Sequence, residues 1–187
     1  MPTLKYKYVF LVSVISLLFS CKNDRSVEDN FITTKDSSFF GNNELGGFGP
    51  NTKLVLSAHF HECGEWGGHN EKMTTYINEK REFYLDYEKY KVDCTLKDPN
   101  NGTPIQQLET KKTISIHQKE KNYITDYIQR MIKSKINEHF PGHAGNSFTV
   151  LMSDSSLLIN VYDRKQFDLK SYNLLLADLK LPLTSVK

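Results

Sequence analysis

From residue 53 onward the chain alternates. Leu54, Leu56, Ala58 and Phe60 are separated by Val55, Ser57, His59 and His61. That is the period of a strand with one buried face, and it turns both histidines away from the core. GEWGGHNE, residues 64–71, supplies the glycines of a turn, and residues 72–94 carry the Thr and aromatic content of a strand pair turning near Asn78 to Arg81. Tyr90, Val92 and Cys94 stand in opposite phase to Phe83, Leu85 and Tyr87, so a bulge is expected near Glu88.

KDPNNGTP is a loop by composition, and IQQLETKKTISI holds a short strand. Ser115 and Gln118 have capping-box spacing ahead of Tyr123, Ile124, Tyr127, Ile128, Met131, Ile132 and Ile136, an amphipathic helix running to about Asn137 and broken by PGHAGN. SFTVLMSDSSLLINVYD reads as a hairpin around Asp154, Ser155 and Ser156. Leu169, Tyr172, Leu175, Leu176 and Leu179 then recur at helical spacing up to Pro182. Hairpins dominate, so the expected fold over residues 53–187 is a single α+β domain, an antiparallel sheet of about five strands packed with two helices. With 39% apolar and 12% aromatic residues, the 187-residue chain can supply one real core.

Residues 21–52 show no sustained period and are rich in Asn, Asp, Ser and Gly, the composition of a flexible tether, with Phe39, Phe40 and Phe48 available to dock on the domain. Ahead of them, Lys5 and Lys7 precede an apolar run from Tyr8 to Phe19, too short to span a bilayer comfortably, so residues 1–20 read as a signal peptide. The run ends Leu18-Phe19-Ser20-Cys21, which resembles the lipobox of bacterial lipoproteins, and the following Lys-Asn-Asp resembles the surface-export signal of Bacteroidota lipoproteins. The resemblance implies acyl chains on Cys21 and attachment to the cell envelope, at the outer membrane, with the membrane as the partner of the N-terminal lipid. Each buried methylene contributes about 0.8 kcal/mol, so two or three chains anchor firmly.

Lys5 and Lys7 are the only charged residues in the leader, so its removal takes the basic count from 24 to 22 against 22 acidic residues. A neutral mature chain carries no electrostatic footprint for nucleic acid and no polybasic membrane signal. With Cys21 committed to lipid, Cys63 and Cys94 remain as an even pair in an exported protein, where a disulfide is the default.

HFHECGEWGGH, residues 59–69, is the densest chemistry in the chain. His59, His61, Glu65 and His69 are a suitable stock of ligands for zinc or another transition metal, and His59, His61 and Glu65 resemble the first metal motif of cupins. No second cupin motif follows, and a long helix stands where cupin strands would continue. The structural alternative makes Gly64, Gly67 and Gly68 a compact turn, has Trp66 cap the core and bonds Cys63 to Cys94, which removes Cys63 as a thiolate ligand or as a nucleophile beside His61 or His69.

Other patterns are thinner. Ser153, Asp154, Ser155 and Ser156 are turn residues without a nucleophile elbow, and Gly46, Gly47 and Gly49 precede a strand rather than opening a helix. His139 is explained by a helix C-terminus, and nothing places His143 beside His69. Tyr84, Tyr87 and Tyr90 beside Lys89 and Lys91 suit either carbohydrate or peptide contact, or ordinary cross-strand packing. With no complete catalytic pattern, the expectation is a lipid-anchored envelope protein with a binding or structural role, no cofactor, and an envelope protein or glycan as partner. A metal-dependent hydrolase or metal-binding protein, and a small accessory subunit, are the rivals.

Overall fold

The computed structural model describes residue 45 and residues 53–64, 67–138, 145–163 and 166–185. The expected leader, the lipidation site Cys21 and the tether lie outside the described residues, Leu45 excepted, as do Glu65, Trp66, His139 and His143.

The elements run β1 (Leu54–His61), β2 (Gly68–Ile77), β3 (Phe83–Lys97), β4 (Pro104–Ser115), α1 (Gln118–Ile136), β5 (Ser147–Met152), β6 (Leu158–Tyr162) and α2 (Phe167–Asp178). The strands form one six-stranded antiparallel sheet in the order β4-β3-β2-β1-β5-β6. The fold is therefore α+β, with six strands where about five were expected. The stretch expected to hold a short strand is the 12-residue β4. It carries no alternation because it is a mostly exposed edge strand, and its pairing with β3 makes it a strand.

Both helices cover one face of the sheet. Leu54, Leu56, Ala58 and Phe60 of β1 meet Ile124, Tyr127, Ile128 and Met131 of α1 and Tyr172, Leu175 and Leu176 of α2 in one buried cluster. Phe60, Phe148, Tyr127 and Tyr172 interlock at its centre, with Tyr172 5.4 Å from Phe148 and 5.9 Å from Phe60 between ring centroids. Leu45 is also buried, and its carbonyl accepts a 2.6 Å hydrogen bond from Thr75 Oγ1. The opposite face of the sheet carries the intervening side chains of every strand, partly or fully exposed.

Three local expectations are corrected. The turn after β1 is shorter than GEWGGHNE, because β2 begins at Gly68 and pairs at once, His61 with Gly68 and Phe60 with His69. Gly68 has φ +143°, and any Cβ there would overlap the Phe60 carbonyl oxygen, so only glycine lets the strands close so tightly. One register shift falls between Lys89 and Tyr90, one residue past its expected place, where the extra residue is Glu109 of β4, and a second falls between Val92 and Lys97. Consequently β3 keeps its phase, and Tyr90 stays on the open face with Glu88, to which its hydroxyl donates at 3.3 Å. Finally, α1 is capped by His117 and Glu120 rather than by Ser115 and Gln118, the Glu120 carboxylate accepting from the His117 backbone N–H at 3.0 Å.

Candidate functional site

The two remaining cysteines are joined. Cys63, just after β1, is bonded to Cys94 on the outer part of β3, closing a sequence separation of 31. Beyond Lys89 the β3–β4 hairpin leaves β2, and the disulfide ties it back to the turn after β1. Gln106 of β4 adds a second tie, its Oε1 accepting from Asn70 N at 3.2 Å and its Nε2 donating to Gly68 O. The side-chain amide thus satisfies the β2 backbone where the strand partner has departed.

The histidines of residues 59–69 separate. His59 and His61 share the open face, whereas His69, opposite Phe60, points into the core and is 6% exposed. Glu65 lies outside the described residues, and among the described residues no three His, Cys, Asp or Glu side chains are arranged to hold a metal ion.

His69 joins a buried charge cluster built around Glu71. His69 and Glu71 are alternate residues of β2 and face inward with Met73 and Thr75. The fully buried Glu71 carboxylate accepts hydrogen bonds from Tyr87 Oη of β3 at 2.9 Å, from Tyr172 Oη of α2 at 3.0 Å and from Thr184 Oγ1. Lys89 Nζ is 3.3 Å from Glu71 Oε1, and His69 Nε2 is 3.6 Å from the same oxygen. At its other nitrogen, His69 Nδ1 lies 2.9 Å from Glu62 Oε2, while the ring stacks on Phe60 at 4.7 Å.

Burial alone would raise the pKa of Glu71, but the nearby His69 imidazole, the Thr184 hydroxyl, the charge of Lys89 and the Tyr87 hydroxyl outweigh it and hold the carboxyl below its ordinary range. Burial likewise opposes a charge on His69, but Glu71 and Glu62 overcome it and hold the imidazole above its usual value. Burial, with the neighbouring Glu71 charge, pushes the Tyr87 and Tyr172 hydroxyls upward, keeping both as donors. The cluster is an ionised hub with three hydroxyl donors and the Lys89 charge in place and His69 Nε2 standing 3.6 Å off without a hydrogen bond, and it binds β2, β3, α2 and the segment after α2 to one another.

On the open face a different group lines a shallow depression of about 430 Å³. The register sets it in rows: Ser147, His59 and Asn70 stand side by side on β5, β1 and β2, and the next row holds Thr149, Ser57 and Lys72. Tyr90 and Gln106 close its far side. His59 Nδ1 is 2.8 Å from Asn70 Oδ1.

Sequence reasoning singled out His59 and Tyr90 but missed Glu71, Thr184, Asn70, Ser147 and Thr149. One signal for Glu71 was present: it falls in the apolar phase of His69, Met73 and Thr75, and a carboxylate at a buried strand position requires partners. No protein-family model matches the chain, and comparison with curated proteins gave no match. Among the described residues no helix is long and apolar enough to cross a membrane.

Proposed function

We propose that this chain is a lipid-anchored protein of the cell envelope, held at the outer membrane by acyl chains on Cys21, and that its α+β domain presents a binding surface. The observation that carries the reading is the Cys63–Cys94 disulfide. It leaves Cys21 as the one cysteine outside that bond, and structural disulfides belong to oxidising compartments. The Leu-Phe-Ser-Cys sequence ending at Cys21 supports the same address.

The binding role draws on the open sheet face. One face of the sheet is spent on the core, while the other holds a depression with hydrogen-bonding groups from several strands. Mass spectrometry of the N-terminal peptide from membrane fractions tests the anchor. The expected peptide begins at acylated Cys21, and Cys21→Ala releases the protein to the soluble fraction. A chain that keeps residues 1–20, or one with an unmodified Cys21 thiol, overturns the reading.

A further inference from the structure

The open-face depression has a chemistry that narrows its occupant. Its hydrogen-bonding groups include the hydroxyls of Ser57, Ser147 and Thr149, the His59 imidazole and the Asn70 amide. With His59 Nδ1 and Asn70 Oδ1 engaged with each other, His59 keeps Nε2 and Asn70 keeps its Nδ2 group for a ligand. The Thr149 hydroxyl donates to Asn160 Oδ1 at 3.1 Å and keeps its acceptor capacity, and it stands on paired strands beside the Asn70 amide, the His59 imidazole and the Ser57 and Ser147 hydroxyls.

The lining contains one cationic side chain, Lys72. Lys72 stands directly opposite Glu88 in the β2–β3 register and its charge acts on that carboxylate. Glu88 also pairs with Lys111 at 2.8 Å. Lys72 and Lys111 thus flank a single carboxylate, so the row carries both signs and gathers no cluster of one sign for an ionic ligand. Tyr90, kept on the open face because the bulge falls in β4, adds an aromatic ring at the rim.

We infer that this depression binds a neutral glycan, with the His59–Asn70 pair and the flanking hydroxyls reading sugar hydroxyls and the Tyr90 ring packing against a pyranose face. Alternating donors and acceptors match the vicinal hydroxyls of a sugar, each of which both donates and accepts. An apolar platform beside them suits the C–H face of the same ring. The inference rests on the proposed binding role and gives it a ligand class.

The test uses full-length protein purified from membranes in detergent, titrated with cellotetraose, laminaritetraose, mannotetraose and chitotetraose in a calorimeter, with tetragalacturonate as the anionic comparison. At least one neutral tetrasaccharide is expected to bind with a Kd of about 1 mM or tighter, and Tyr90→Ala and Asn70→Ala are each expected to weaken it by about tenfold or more. Tyr90→Phe, which keeps the ring, is expected to retain more of the binding than Tyr90→Ala, with circular dichroism confirming that each variant is folded. The glycan site is overturned if no neutral tetrasaccharide binds at about 10 mM, if Tyr90→Ala and Asn70→Ala bind unchanged, or if tetragalacturonate alone binds. Intact mass of the same sample reports acylation separately. Binding by unacylated protein supports the glycan site and removes only the anchor, whereas acylated protein that binds no sugar removes only the glycan site.

Discussion

Replacing Glu71 with Gln removes one charge at nearly constant volume from the centre of the buried cluster. The carboxylate accepts from three hydroxyls and faces Lys89 and His69. An amide offers one oxygen, and its NH2 meets groups that were donors, so at least one hydroxyl must turn or go without a partner. Each hydrogen bond to a charged group contributes about 1.5–3 kcal/mol. Breaking a buried pair by removing one partner costs about 3–5 kcal/mol. These figures count the same carboxylate, so they overlap, and about 3–5 kcal/mol is the whole expected loss. For a chain of this size that lowers the melting temperature by about 6–20 °C. Thermal unfolding followed by circular dichroism at pH 6 reads the difference. A Glu71→Gln variant melting within about 2 °C of the parent would refute the ionised hub, because the native carboxyl would then already be neutral. Tyr172→Phe gives a cross-check: combined with Glu71→Gln, it should cost clearly less than the sum of the two single changes.

Other expectations follow from the same structure. Cys63→Ala with Cys94→Ala should lower stability by about 3–4 kcal/mol, since the closed loop is of intermediate length, and the urea midpoint reports it. Gly68→Ala should cost at least about 2–3 kcal/mol in the same assay, because a Cβ at φ +143° overlaps the Phe60 carbonyl. The Glu71 contribution is full above its ordinary value of 4.5 and is lost as pH falls through the lower folded value. His69 contributes fully below its ordinary 6.5 and loses its share as pH rises through the higher folded value. Denaturation across the pH range should therefore show greatest stability between those two values, and His69→Gln should flatten the alkaline decline; an unchanged alkaline limb would refute the His69 assignment.

What could be read from the chain depended on how local each signal was. The period of Ile124, Tyr127, Ile128 and Met131 needs one helix face to register, and α1 ends within a residue of its expected limit. The hairpin of β5 and β6 and the turn at Asn78 are equally local, the latter held by Asn78 Oδ1 accepting from Lys80 N and Glu82 N at 2.9 Å each. The outward phase of His59 followed from the alternation of β1 alone. Glu71 was hidden because the neighbouring glycines made residues 64–71 read as turn, and its partners Tyr172 and Thr184 lie 101 and 113 residues away. The row of Ser147, His59 and Asn70 is likewise a product of register between three strands, which one strand's pattern does not encode.

Thr184 is clasped twice. Asn173 exchanges two 2.9 Å hydrogen bonds with its backbone while its hydroxyl reaches Glu71. A nascent polypeptide emerges from its N-terminal side, so the β1–β3 meander is made long before this third hydroxyl arrives. Until then the acid must stay wet, and the meander cannot dry its inner surface. Native packing around Glu71 is thereby postponed until the segment after α2 has been made.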